Sequence, residues 1–198
     1  RYIYALIKLK MFNNKDFIYR KRAAYSQEGC DYTIRFFENR VDLQVEGTFG
    51  NLLPDPTLKK CTEMYLKIGE YPIFEDILVR SVSEYKKIYP YLCDHIVDFS
   101  PSSTFKLQKY KPKEGYFALH CENEGPGAGD DRILAWMIYL NNVTEGGHTR
   151  FPNQNRKFQP RRGDLLIWPA YFTHTHHGIV SKTQTKYIAT GWFTFNDS

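Results

Sequence analysis

No apolar run in this chain approaches the ~20 residues that a membrane-crossing helix needs. The opening Arg1-Tyr2-Ile3-Tyr4-Ala5-Leu6-Ile7 is too short for a secretion signal and is soon interrupted by Lys8 and Lys10. A cytoplasmic protein is therefore expected, with residues upstream of Arg1 left open by the start on a residue other than Met. Cysteine is scarce. Cys30, Cys61, Cys93 and Cys121 never fall in a Cys-x-x-Cys pair, which argues against a zinc ribbon. Four cysteines in 198 residues do not make a disulfide scaffold either, so free thiols in a reducing compartment are expected. There is no internal repeat and no low-complexity tract. Charge of one sign is not concentrated. The net +5 is spread over scattered lysines and arginines, with small clusters at Lys21-Arg22 and Arg161-Arg162. That reads as a solvated surface more than as a face for nucleic acid.

What the chain does hold is aromatic residues: 15 Tyr, 14 Phe and 3 Trp, which suit the pleated surface of a β-rich core. Its length suffices for one domain with a sizeable core. Residues 2–7 alternate weakly, as an opening strand would. Ser26 can cap a helix over about 27–39, with Cys30, Ile34 and Phe37 on one face. Gly47, Gly50, Pro54 and Pro56 make 40–57 a loop with room for one short strand, long enough to serve as a substrate lid. A second helix is predicted from about Glu75 to Tyr89, with Leu78, Val82, Tyr85 and Tyr89 as its apolar stripe and Pro90 as its stop.

From Thr104 the pattern changes to short apolar segments between turns. Strands are predicted at 104–110, 116–122, 132–141, 148–151, 156–159, 164–168, 174–180 and 186–195. Eight short strands suggest a double-sheet jelly roll. The expected fold is mainly β with flanking helices (α+β): a double-stranded β-helix, or cupin-like core, over 104–195, buttressed by helices in 1–100. Both parts are expected to form a single domain over 1–198.

The chemistry-bearing residues cluster in this second half. On a strand, His120 and Glu122 share a face, and Cys121 points away. A second histidine from 174–177, most simply His176, completes two imidazoles and one carboxylate. That donor set leaves three positions open on an octahedral metal, as in non-haem Fe(II) oxygenases. His-x-Glu alone is a weak signal, and most strand histidines are ordinary. Lys186 adds weight. Facing inward with Ile188, Thr190 and Trp192, it would be costly without an anion, and a dicarboxylate would provide one. Tyr110, Tyr139 and Thr149 are candidates to donate hydrogen bonds to that anion.

Four segments in order resemble the catalytic domain of the prolyl 4-hydroxylase-like branch of the 2-oxoglutarate/Fe(II) dioxygenases, over about Phe105 to Phe195. They are His120-Cys121-Glu122, the strand Arg132 to Asn141 ending in Tyr-Leu-Asn, Gly146-Gly147-His148-Thr149-Arg150-Phe151, and Pro160 to Pro169 followed by His176 and Lys186. The resemblance implies His120, Glu122 and His176 as iron ligands. It implies Lys186 as the partner of the distal carboxylate of 2-oxoglutarate, with Tyr110, Tyr139 and Thr149 lining that pocket. Two departures stand out: Glu122 is one methylene longer than the commoner aspartate, and His148 replaces an acidic residue.

The implied activity is hydroxylation of prolyl residues in a peptide or protein, with Fe(II), 2-oxoglutarate and O2 consumed or used, succinate and CO2 released, and ascorbate as an accessory. Substrate is expected at the barrel mouth, near 40–57, Gly125–Asp131 and Arg132, with Trp192 packed against it. The alternatives are the same oxidation of a free amino acid, another side chain or a nucleobase, or a metal-binding jelly-roll module without turnover. The tail after Lys186 lacks the second arginine expected of nucleic-acid demethylases, which lowers the nucleobase reading.

Overall fold

A computed structural model of the chain describes residues 16–48, 54–96, 98–127 and 129–196. The opening strand expected at 2–7 lies outside the described residues, as does the centre of the 40–57 loop. In chain order the elements are β1 (Tyr19–Lys21), α1 (Gln27–Asn39), β2 (Val45–Glu46), β3 (Lys59–Lys60), β4 (Thr62–Lys67), α2 (Pro72–Ile88), β5 (Phe99–Tyr110), β6 (Gly115–Tyr116), β7 (Arg132–Tyr139), β8 (Thr149–Phe151), β9 (Arg156–Phe158), β10 (Leu165–Pro169), β11 (His177–Gly178) and β12 (Lys186–Phe195). A four-residue helical turn, Tyr91–Asp94, follows α2, and three 3-10 turns complete the set.

The large sheet is antiparallel and has seven strands in the order β1-β10-β7-β12-β5-β4-β2. A second sheet runs β11-β8-β9, and β3 pairs with β6. The period of two along each strand decides what lies on each side. On β7, Leu134, Trp136 and Ile138 join a core shared with the helices, while Ala135, Met137 and Tyr139 face the barrel interior. Both faces are covered, which is why Arg132–Tyr139 reads as a nearly unbroken apolar run. The same split holds on β10, where Leu165 and Ile167 face the helices and Leu166 and Trp168 face inward with Phe151 and Phe158 of the small sheet. The fold is a jelly roll with one helix-covered face.

Each helix follows local rules. Ser26 caps α1 by accepting the N–H of Gly29 at 3.0 Å. Helix α2 starts at Pro72, three residues earlier than its apolar stripe alone indicates, because proline suits the first turn. Phe74, Ile77 and Leu78 then extend the buried face that Val82 and Tyr85 continue.

Four segments differ from the strand pattern read along the chain. Strand β5 begins at Phe99, upstream of the predicted start, and runs through Pro101. Strand β4 covers only 104–109 of β5, so Pro101 lies beyond that partner and its missing N–H breaks no bond there. The predicted strand at 116–122 is not one. After β6 the backbone is irregular; it meets the barrel at an isolated bridge between His120 and His176 and through the Glu122 and Asn123 N–H groups, which both donate to the Ala170 carbonyl, at 2.9 and 3.0 Å. Likewise 174–180 divides into a 3-10 turn over Phe172–His174 and the two residues of β11. Finally, β4 was not foreseen, and it brings residues from the supporting half into the large sheet.

Candidate active site

The bridge between His120 and His176 builds the site. His120 N–H donates to the His176 carbonyl at 3.1 Å, and His176 N–H returns the bond at 2.8 Å. The two backbones thus hold the imidazoles side by side, with ring centroids 4.3 Å apart. Each Nδ1 sits 3.0 Å from a carbonyl oxygen, of Ala118 and of His174 respectively. A carbonyl only accepts, so each Nδ1 carries the proton and each Nε2 presents its lone pair to the centre. Glu122 meets them there, its Oε1 lying 3.3 Å from His176 Nε2 and 3.7 Å from His120 Nε2. The ligating atoms of all three residues lie within 4.8 Å of one another, and no other such group of histidine, cysteine or carboxylate side chains occurs among the described residues.

The surroundings prepare this cluster for a cation. Tyr116 stacks flat on His120 at 3.6 Å, and Phe151 and Trp168 each pack on His176 at 5.1 Å. Burial, assisted by His176, pushes the pKa of His120 down to about 3 against the opposing pull of Glu122, so that imidazole is neutral and free to ligate. Burial works against the Glu122 charge, but His176, His120 and the Trp192 N–H facing it hold its pKa well below the carboxylate range. Trp192 donates Nε1–H to Glu122 Oε2 at 2.7 Å. One carboxylate oxygen is thereby occupied and the other is aimed at the histidines. The Arg132 guanidinium lies 3.6 Å over the Trp192 ring and donates to the Glu122 carbonyl at 3.0 Å. Both residues line the cavity, and their observed bonds are to Glu122.

The cavity beside the triad has a volume of about 490 Å³ and reaches Lys186. This side chain is 6% exposed, its Nζ donating to Gly147 O at 3.3 Å and lying 4.7 Å from the Tyr110 ring centroid. Burial lowers its pKa to about 8. No carboxylate among the described residues pairs with it. A buried ammonium without an anion is what a diacid would relieve.

The three expected hydrogen-bond donors divide. Thr149 and Tyr110 line the cavity. Tyr139 does not; its hydroxyl donates to Thr149 Oγ1 at 2.7 Å, so it orients the threonine instead of meeting a ligand. Tyr110 is also spoken for. It donates to Gln108 Oε1 at 2.9 Å, and Gln108 Nε2 donates to Glu63 Oε1 at 2.6 Å. Because an ionised carboxylate only accepts, Glu63 dictates the direction of the whole chain, and the Tyr110 proton points away from any ligand carboxylate. Glu63, Gln108 and Tyr116 were not foreseen. Their one sequence signal was the alternation Glu63-Met64-Tyr65-Leu66, in which Met64 and Leu66 enter the helix-side core.

The remaining histidines stay outside the cluster. His174 Nε2 bonds the Asp16 carbonyl at 2.8 Å and Nδ1 meets Thr173 Oγ1 at 2.9 Å. It sits in the 3-10 turn over Phe172–His174, not on a strand beside His176. His148 is half-buried and is not part of the three-residue ligand group. His177 lines the outer cavity, where burial and Arg150 lower its pKa.

Residues 105–194 match the model of the 2-oxoglutarate/Fe(II) oxygenase superfamily. That stretch, 90 of the chain's 198 residues, is similar to a catalytic domain of that class. Within the class the similarity is to prolyl 4-hydroxylases. A prolyl 4-hydroxylase homologue of Acanthamoeba polyphaga mimivirus is 32% identical over 125 residues, covering 54% of this chain and 52% of that protein. An Arabidopsis thaliana homologue is 26% identical over 164 residues, covering 72% and 55%. The chain thus spans about half the length of these relatives. Among solved structures, the viral collagen prolyl hydroxylase of Paramecium Bursaria Chlorella virus-1 with 2-oxoglutarate superposes with a TM-score of 0.68 at 19% identity, over 91% of this chain and 97% of that one. The Trichoplax adhaerens prolyl hydroxylase, bound to a peptide of a hypoxia-inducible factor, gives 0.70 at 14% identity, over 93% and 86%. At such identities these two likenesses speak for the fold.

Proposed function

We propose that this chain hydroxylates prolyl residues in a peptide or protein. His120, Glu122 and His176 hold Fe(II), and Lys186 takes the distal carboxylate of 2-oxoglutarate. When bound, the metal and the diacid supply the oxidising power, with O2 reduced and 2-oxoglutarate converted to succinate and CO2. Ascorbate as an accessory reductant belongs to the same proposal. One observation carries it: an open three-residue donor set and an unpaired buried ammonium share one cavity.

The chain's own contribution is orientation and exclusion of water. Two neutral imidazoles and one carboxylate leave coordination positions free. The Trp192 bond frees one Glu122 oxygen to ligate and restrains the other, which offsets the extra methylene of glutamate. Thr149 lines the cavity with its hydroxyl accepting from Tyr139 at 2.7 Å and donating to the weak acceptor Met137 Sδ at 3.6 Å, a bond that a ligand oxygen would replace. Tyr116, Phe151 and Trp168 close the metal side against solvent. The mimivirus homologue supports proline as the target, as does the peptide-bound Trichoplax neighbour by its fold.

The test is a turnover assay. Succinate release that requires both iron and 2-oxoglutarate is expected, together with one added oxygen on proline in a peptide panel seen by mass spectrometry. The His176→Ala variant should do neither. Iron-dependent succinate release with oxygen added to some other residue would retain the chemistry and replace the substrate.

A further inference from the structure

The cavity contains more positive charge than the triad and the diacid need. Its lining cations are Lys59, Lys106, Arg132 and Lys186; its lining carboxylates are Glu122 and Glu124. Lys186 is assigned to the diacid, and Arg132 is held between Trp192 and the Glu122 carbonyl. Lys59 is held by Glu63 and by the Thr48 carbonyl, 3.0 Å away. Lys106 remains. Its Nζ lies 3.6 Å from Glu63 Oε2, beyond hydrogen-bond range, with the Tyr65 and Trp192 ring centroids at 4.8 and 5.6 Å.

Glu63 cannot serve it well. This carboxylate is fully buried and already accepts from Lys59, Gln108 and Tyr65. One anion therefore stands behind two lysines, and Lys106 faces the cavity with a side chain 15% exposed and its donors unfilled. Its position also separates it from the diacid. Strand register sets Lys186 opposite Tyr110 and Lys106 opposite Thr190, four residues apart on β5. That is about 13 Å along a strand. A five-carbon diacid, with four C–C bonds of about 1.5 Å each, does not span it.

We propose that Lys106 is a second anion subsite, at the substrate end of the cavity, that binds a carboxylate of the substrate. The preferred peptide carries an acidic side chain close to the target proline. This deepens the proposed function and rests on it. Trp192 and Tyr65 flank the ammonium and shield the pair from solvent, which strengthens it relative to an open surface contact.

Binding tests it directly. Proline-centred peptides, acetylated and amidated at their ends, carry Glu or the matched Gln near the proline. Their affinity is measured by fluorescence polarisation on the protein loaded with Mn(II) and 2-oxoglutarate, where no turnover intervenes. The Glu peptide should bind about tenfold tighter at low salt, with the preference shrinking as ionic strength rises. Lys106→Gln should erase the preference, Lys106→Arg should keep it, and Lys106→Glu should favour a lysine-bearing peptide. A Gln peptide ending in a free carboxylate, and free L-proline, distinguish a chain-end carboxylate from a side-chain one; a Lys106-dependent preference for those alone would overturn the acidic side chain. Equal binding of the Glu and Gln peptides, or a preference that survives Lys106→Gln, would overturn the subsite. Iron-dependent succinate release by the unaltered protein, scored without peptide, reports on the underlying chemistry separately, so the two failures are distinguishable.

Discussion

At the scale of single residues, two side chains carry the account beyond the donor set. Trp192 fixes the Glu122 carboxylate with one hydrogen bond. Replacement by Phe keeps the packing under Arg132 and removes only the N–H. Groups that orient a ligand in this way are worth about 10–100-fold in metal affinity. Competitive titration with Mn(II) should show a loss of that size for Trp192→Phe, and an unchanged affinity would deny the tryptophan this role. Lys186 carries the second argument. Its folded pKa, about 8, lies below the ordinary lysine value of 10.5. Below pH 8 both folded and unfolded chains are protonated, and the burial penalty stands in full. As pH rises toward 10.5 the unfolded chain alone keeps the proton, and stability increases. Urea unfolding of the metal-free, diacid-free protein should find Lys186→Met more stable than the parent by up to about 3 kcal/mol near pH 7. That gap should close between pH 8 and 10.5; a gap independent of pH would mean the ammonium is not buried in the folded chain. Saturating Mn(II) together with 2-oxoglutarate should reverse the order at pH 7.

At the scale of elements, the pairing of β4 with β5 matters most, because it brings Glu63 opposite Gln108. The resulting chain from Lys59 through Glu63 and Gln108 to Tyr110 joins a short hairpin partner to the wall of the cavity. Breaking a buried ion pair by removing one partner costs about 3–5 kcal/mol. Glu63→Ala should lower the unfolding midpoint accordingly, and a loss below about 1 kcal/mol would show that the network contributes little. Strand β12 has its own constraint. A Cβ on Gly191 would lie 2.8 Å from the Trp136 ring, so the strand passes the indole only because that residue has no side chain. Gly191→Ala should destabilise the protein, and with it shift the near-ultraviolet signal of the tryptophans. Elements with strong local patterns were legible in the sequence: the apolar stripe of α2, the Ser26 cap, and the central strands β7 and β12. His120-Cys121-Glu122 looked like a strand because its spacing alternates, yet its only ladder contact is the bridge to His176. A period of two is satisfied by any extended backbone, hydrogen-bonded or not. Strand β4 escaped notice because charged Glu63 and Lys59 read as surface until register buries them together.

At the scale of the whole molecule, a helix-covered sheet closes one side of the barrel and leaves the other side to the cavity. No helix among the described residues is long and apolar enough to cross a membrane. The candidate ligands were legible because chemistry demands particular residue types in a particular order. The residues that orient them were not, since Gln108, Tyr116 and Trp192 acquire their roles from cross-strand neighbours distant in the chain. Lys186 belongs to both groups: its inward face follows from alternation, while its lack of a partner is a property of the folded whole. The measurement that bears most directly on the central claim is calorimetric binding of 2-oxoglutarate to the Mn(II)-loaded protein, with His176→Ala and Lys186→Met alongside. Saturable binding that needs the metal, and that is lost in both variants, is the predicted result. Binding of equal strength without metal, or retained in Lys186→Met, would contradict it.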